Sequence, residues 1–187
     1  MDDIERVLIS EKEIVAETMD IASKINKDYE GKHLLLLGLL KGSVCFMAEL
    51  MKHITLPCKV DFMAVSSYGD RTESSGKVQI TKDLSDDVSG YDVLIVEDIV
   101  DSGVTLAFII DYIKKKGCRS VEVAALLNKP SRRVSDVKVR YCAKVIDDLF
   151  VVGFGMDYAE YYRNLPYIGV LKESVYIRKQ NVSENNG

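Results

Sequence analysis

The chain lacks an excess of positive charge: 25 lysines and arginines are outnumbered by 29 acidic residues, for a net charge of −4. That excludes a general attraction for nucleic acid or anionic membrane, so an anionic ligand must be met by local groups. The four cysteines, Cys45, Cys58, Cys118 and Cys142, form no C-x-x-C pair, and the two histidines, His33 and His53, stand isolated. No zinc or redox motif follows, and the thiols are expected to be reduced and mostly buried. Long apolar runs are missing as well. The leucine-rich stretch 34–40 falls far short of the roughly 20 residues that span a bilayer, and no basic, apolar leader opens the sequence, so a cytoplasmic location is expected. No repeat or low-complexity linker interrupts the 187 residues, 47% of them hydrophobic, which suffice for one core. Residues 1–187 are expected to form a single domain, with the polar tail 179–187 frayed.

What is present alternates between two periodicities. Ser10 and Glu13 form a capping box ahead of Ile14, Thr18, Ile21 and Ile25, so the start reads as an amphipathic helix covering one face of a sheet. Residues 33–40 are nearly all leucine, as in a strand buried on both faces, and 43–52 resume helical spacing, which makes Lys41-Gly42 a strand-to-helix turn. Val60, Phe62, Ala64 and Val65 form a strand that runs into the polar stretch 66–77, expected to be an exposed, mobile loop. Strands are predicted at 78–81, 92–96 and 120–127, and a helix at 105–116 ended by Gly117. Residues 137–145 and 149–154 are strand-like, ahead of an irregular aromatic C-terminal stretch. This alternation predicts an α/β fold with a mostly parallel central sheet flanked by helices.

Chemistry concentrates at Val93-Leu94-Ile95-Val96-Glu97-Asp98-Ile99-Val100-Asp101-Ser102-Gly103-Val104-Thr105, where a buried strand delivers three carboxylates and then a Ser-Gly-x-Thr turn. In open α/β sheets ligands bind at the carboxyl ends of the strands. A solvated acidic turn capping the next helix is the competing reading. The mixed chemistry favours a site. Carboxylates only accept hydrogen bonds, whereas the turn offers backbone N–H groups, two hydroxyls and a glycine that permits close approach. A phosphate on residues 102–105 would be held by amides and the helix dipole, leaving Glu97 and Asp98 to take hydroxyl donors or a metal. A sugar phosphate meets both demands, its ester in the turn and its hydroxyls against the acids, with Mg²⁺ screening further phosphates.

This segment resembles the phosphoribosyl pyrophosphate signature of type I phosphoribosyltransferases, a hydrophobic strand followed by E-D-x-x-D-[ST]-G-x-T. Leu40-Lys41-Gly42, Ser67-Tyr68, Asn128-Lys129, the run from Phe150 to Tyr158, and Arg163 are similar in order and spacing to the hypoxanthine-guanine branch of that family, and the likeness extends over residues 5 to 175 or so. The resemblance implies a small hood formed by N- and C-terminal segments. It also implies purine salvage, in which the 5-phosphoribosyl group of phosphoribosyl pyrophosphate passes to hypoxanthine or guanine. By the same likeness Glu97 and Asp98 bind the ribose hydroxyls, and Asp101 is the general base at the purine imidazole nitrogen. Asp101, Ser102, Gly103, Val104 and Thr105 enclose the 5-phosphate. Some relatives carry lysine at the position of Val104, so weaker phosphate affinity is expected here. Lys41 and Gly42 form the pyrophosphate loop, in which the family often has a cis peptide before the lysine. Ser67, Tyr68 and Arg163 are further pyrophosphate contacts. Lys129 reads the 6-oxo group, Phe150 stacks on the purine, and Val151 and Asp157 meet its pyrimidine edge. Mg²⁺ is implied as cofactor on Glu97, Asp98 and Asp157, and a homodimer or homotetramer as the assembly. Apart from the resemblance, Lys129 reads as a solvated loop lysine, Phe150 as core, and Arg163 as the partner of Asp157 or Glu160 in a surface ion pair.

Two rivals share the fold: a xanthine-preferring transferase, and a nucleotide-sensing regulator that binds nucleic acid, against which the acidic balance and Asp101 both count. Other motifs are decoys. The glycines of 69–77 are seven apart and Val78 follows the lysine, which rules out a P-loop, and Gly153-Phe154-Gly155 has Tyr158 where a dinucleotide fingerprint needs its third glycine.

Overall fold

The computed structural model describes residues 2–68 and 77–177. In chain order they form β1 (Ile4–Ile9), α1 (Glu11–Asp28), β2 (Leu34–Leu40), α2 (Val44–His53), β3 (Cys58–Tyr68), β4 (Lys77–Lys82), β5 (Asp92–Val100), α3 (Val104–Lys115), β6 (Ser120–Asn128), β7 (Tyr141–Val145), β8 (Val151–Val152) and β9 (Ile168–Leu171). Six strands make one sheet in the order β4-β3-β2-β5-β6-β7, parallel except at the β4 edge.

The leucine-rich β2 explains the layering. Successive side chains of a strand point to opposite faces, so a strand apolar at every position needs cover on both. Leu34 and Leu36 pack with Ile14, Ile21 and Ile25 of α1 and Phe46, Met47 and Leu50 of α2, while Leu35, Leu37 and Leu39 pack with Leu106, Ile109 and Ile113 of α3. The capping box at the start of α1 is formed: Glu13 N donates to Ser10 Oγ at 3.3 Å, and Ser10 N donates to Glu13 Oε2 at 2.8 Å. Thr18 lies in the buried stripe because its hydroxyl donates to Ile14 O at 2.7 Å. Among the described residues no helix is long and apolar enough to cross a membrane.

A second, antiparallel sheet, β1-β9-β8, joins the N-terminal strand to two strands near the C-terminus and forms the expected hood. Val151, Ile168 and Val170 point from it into the main core, and Val152, Leu165 and Leu171 form a cluster of its own.

Some expected bounds move. The β5 strand does not stop at Val96: its pairing with β6 continues to Val100, opposite Asn128. The stretch 137–140 is loop rather than strand, because Val137 O accepts from Arg133 and its N–H bonds Ser135 O. Strand geometry ends at Val152 because Gly153 (φ 101°) and Phe154 (φ 48°) turn left-handed. The four cysteines are partly, not mostly, buried. The loop at 66–77 keeps strand at its two ends, while its centre, and the tail beyond 177, lie outside the described residues.

Candidate active site

The β5 strand runs between β2 and β6, so the ladder fixes where Glu97 and Asp98 stand. Their carboxyls hydrogen-bond each other. Burial first, and then the neighbouring Asp98 charge, pushes Glu97 well above the usual carboxylate range, and burial likewise raises Asp98. Two crowded acids of this kind favour ligands that bring donors or positive charge.

Beyond β5 the chain turns sharply. Gly103 sits at φ 79°, a left-handed conformation that disfavours a side chain, and starts α3 without any side-chain cap. Of the first-turn amides of α3, that of Val104 donates to Ser102 Oγ at 3.4 Å, while the glycine at the N-cap offers no side-chain acceptor to those that follow. Ser102, Gly103 and Thr105, with Glu97 and Asp101, line a cavity of about 230 Å³. The turn is braced from behind by Arg133, whose Nε donates to Asp101 O at 3.0 Å and Nη2 to Val100 O at 3.3 Å. Ser102 O accepts from Val134 N at 3.0 Å and Ser135 N at 3.3 Å, so the turn's carbonyls are engaged by the loop after β6.

A second cavity, of about 450 Å³, adjoins the first through Asp101 and is lined by Asp98, Lys129, Phe150, Val151 and Asp157. Lys129 follows β6 and is 7% exposed, and its Nζ stands 3.7 Å from Asp148 Oδ1. Phe150 leaves 39% of its surface exposed and is therefore a cavity wall rather than core. Tyr176, in a helical turn at 173–177, stacks on Phe150 at 4.9 Å and 17°, and Tyr158 meets Phe150 edge-on at 5.5 Å. Val151 is held by pairing with Val170 of β9.

At the third corner the Leu40-Lys41 peptide is cis, as the resemblance implied. Gly42 packs directly on the acid pair: a Cβ there would lie 1.9 Å from Asp98 Oδ2. Gly155 in turn packs on Gly42, where a Cβ would lie 2.0 Å from Gly42 O. Lys41 Nζ is 2.8 Å from Glu160 Oε2, and Arg163 Nη2 is 2.9 Å from Asp157 Oδ1 and 3.4 Å from Glu160 Oε1. Arg163 Nη1 also donates to Gly155 O at 2.8 Å, and its buried Nε has no acceptor among the described residues.

The expected residues thus gather along one edge of the molecule, except that the side chains of Ser67 and Tyr68 lie outside the described residues. Arg132, Arg133, Asp148 and Tyr176 were not anticipated; the only hint was that the two arginines follow closely on Asn128-Lys129. Among the described residues no three His, Cys, Asp or Glu side chains gather into a metal cage. Asp157 shares the larger cavity with Asp98 but is engaged by Arg163. Each cysteine has its thiol pushed up by burial, so none is primed as a nucleophile.

Comparison with known proteins points one way. Residues 8–159 match the phosphoribosyl transferase domain family. A curated hypoxanthine-guanine phosphoribosyltransferase of Streptococcus mutans is 51% identical over 173 residues, covering 92% of this chain and 96% of the relative. One of Bacillus subtilis is 49% identical over 174 residues, covering 93% and 97%. The crystal structure of a hypoxanthine phosphoribosyltransferase from Staphylococcus aureus superposes with a TM-score of 0.90 at 47% identity, covering 94% of this chain and 95% of that one.

Proposed function

Because the chain belongs to the phosphoribosyl transferase domain family, we propose that it transfers the 5-phosphoribosyl group of phosphoribosyl pyrophosphate to a 6-oxopurine, hypoxanthine or guanine, with release of pyrophosphate. The observation that carries this reading is the place of Asp101 on the wall shared by two cavities, one beside the uncapped start of α3 and one between Lys129 and Phe150. A 5-phosphate takes the first, held by the α3 amides, Ser102 and Thr105. A planar base takes the second, stacked on Phe150 and presenting its 6-oxo oxygen to Lys129. An ammonium has donors only, so it favours a 6-oxo acceptor over the 6-amino donor of adenine.

In the reaction the base nitrogen forms a bond to the anomeric carbon as the bond to pyrophosphate breaks, and Asp101 receives the proton released from the imidazole ring. Arg163, with its unmatched buried donor, and Lys41 supply positive charge for the departing pyrophosphate. A Mg²⁺ suits the crowded acid pair. With no cage of three such side chains among the described residues, it would be held by Glu97, Asp98 and Asp157 together with the phosphates themselves, and it would neutralise charge on the leaving group.

Initial rates of pyrophosphate release with hypoxanthine, guanine, xanthine or adenine, each with and without Mg²⁺, test the reading; absence of turnover with all four bases rejects it. A homodimer or homotetramer belongs to the same proposal and is read by sedimentation. Val104, 41% exposed at the first position of α3, brings no charge to the phosphate. Val104→Lys is expected to lower the KM for phosphoribosyl pyrophosphate about threefold to tenfold at low salt, with the gain shrinking as salt is added.

A further inference from the structure

Two residues to which the proposed chemistry gives no part lie between two to which it does. Arg132 Nε is 3.3 Å from Asp101 Oδ1, Arg132 Nη1 is 3.3 Å from Asp148 Oδ2, and Asp148 Oδ1 is 3.7 Å from Lys129 Nζ. All four side chains line the base cavity, so alternating charges run along its wall from Asp101 to Lys129. Their settings differ. The side chains of Arg132 and Asp148 are 55% and 52% exposed, whereas that of Lys129 is 9% exposed. Ion pairs as exposed as the middle one add little to folding stability, so the chain of charges matters chiefly to the site. A buried ammonium, by contrast, is costly to leave without a counter-charge. Among the described residues Asp148 is the only carboxylate within ion-pair distance of Lys129.

We propose that Asp148 and Arg132 are positioning residues of the base site. Asp148 holds the Lys129 ammonium toward the 6-substituent of the base. Arg132 links Asp148 to one oxygen of Asp101 and leaves the other oxygen to accept the base's proton. Reading of the 6-position and acceptance of the proton are thereby set by one chain of charges. This rests on the 6-oxopurine reading above. Discrimination by a donor requires that the donor stay in place, and a lysine is a compact charge on a flexible four-carbon stem. Released from Asp148, the ammonium samples other rotamers, the 6-oxo oxygen loses its partner, and adenine meets no fixed donor to clash with its own.

The test measures hypoxanthine kinetics, with adenine as a competing base, on the wild type and on Asp148→Asn, Asp148→Glu and Arg132→Gln. Asp148→Asn is expected to raise the KM for hypoxanthine about tenfold with kcat within about twofold, and to narrow the preference over adenine by a similar factor. Asp148→Glu, which keeps the charge, is expected to regain most of both. Arg132→Gln is expected to lower kcat about fivefold with a smaller change in KM. A purely structural role would move neither selectivity nor the rescue. Wild-type KM and selectivity in Asp148→Asn, or a loss that Asp148→Glu does not restore, overturns the positioning role alone. A wild type that turns over no 6-oxopurine overturns the proposed function, and this inference with it.

Discussion

Asp101→Asn is expected to lower kcat roughly a hundredfold to a thousandfold while the KM values for both substrates stay within about threefold, the range that loss of one general base produces. The amide keeps the size of the carboxylate, and its oxygen still accepts from Arg132 Nε, now 3.3 Å from Asp101 Oδ1. The main-chain oxygen of residue 101 still accepts from Arg133, so the turn that follows is not released. What disappears is the capacity to take a proton. Steady-state rates across both substrates separate the outcomes: an unchanged kcat removes the base role from Asp101, and a large rise in KM alone assigns it to binding.

The second large effect falls on stability. Gly155→Ala places a methyl group 2.0 Å from Gly42 O at a residue whose φ is 99°, so the chain must escape both a clash with rigid backbone and a conformation that L side chains avoid. Backbone strain and overpacking together predict a loss of roughly 2–5 kcal/mol in the free energy of unfolding, read from the urea midpoint at unchanged slope. Gly90→Ala is the natural control. It also has positive φ, 77°, but a Cβ there meets nothing within 4 Å, so strain acts alone and about 1 kcal/mol is expected. Should the two variants lose equal stability, the contact between residues 155 and 42 is not what matters. The damage from Gly155→Ala should reach the chemistry as well, since Gly42 rests on Asp98, and a higher KM for phosphoribosyl pyrophosphate is expected in the surviving folded enzyme.

The parts legible in the sequence are those where one residue type at one period has one physical use. An all-leucine strand needs cover on both faces, and β2 has it; a capping box needs a helix behind it, and α1 follows. The segment from Glu97 to Thr105 was readable because acceptor-only and donor-rich groups adjoin at a strand end. The hood was harder. The β1 strand interleaves its apolar residues with Glu5 and Arg6, and its partner, β9, lies far along the chain, so neither carries a local signal that distinguishes it from irregular structure. Arg133 was invisible for a different reason. A loop arginine reads as solvated until the fold brings the carbonyls of Val100, Asp101 and Val137 around it. Asp148 and Tyr176 are similar, since their significance comes from side chains distant in sequence.

The hood sheet has a consequence for how the protein comes apart. Phe150 and Val151 hang from three short strands made of the two ends of the chain, whereas Glu97 to Asp101 are anchored around the central strand of the larger sheet. Small antiparallel sheets open at lower free energy than the core strands they rest on. The wall proposed to recognise the base is therefore expected to exchange its amide hydrogens before the proposed cradle for the sugar phosphate does. Under the proposed function, partial opening would leave a protein that still holds the ribosyl donor but no longer grips its acceptor.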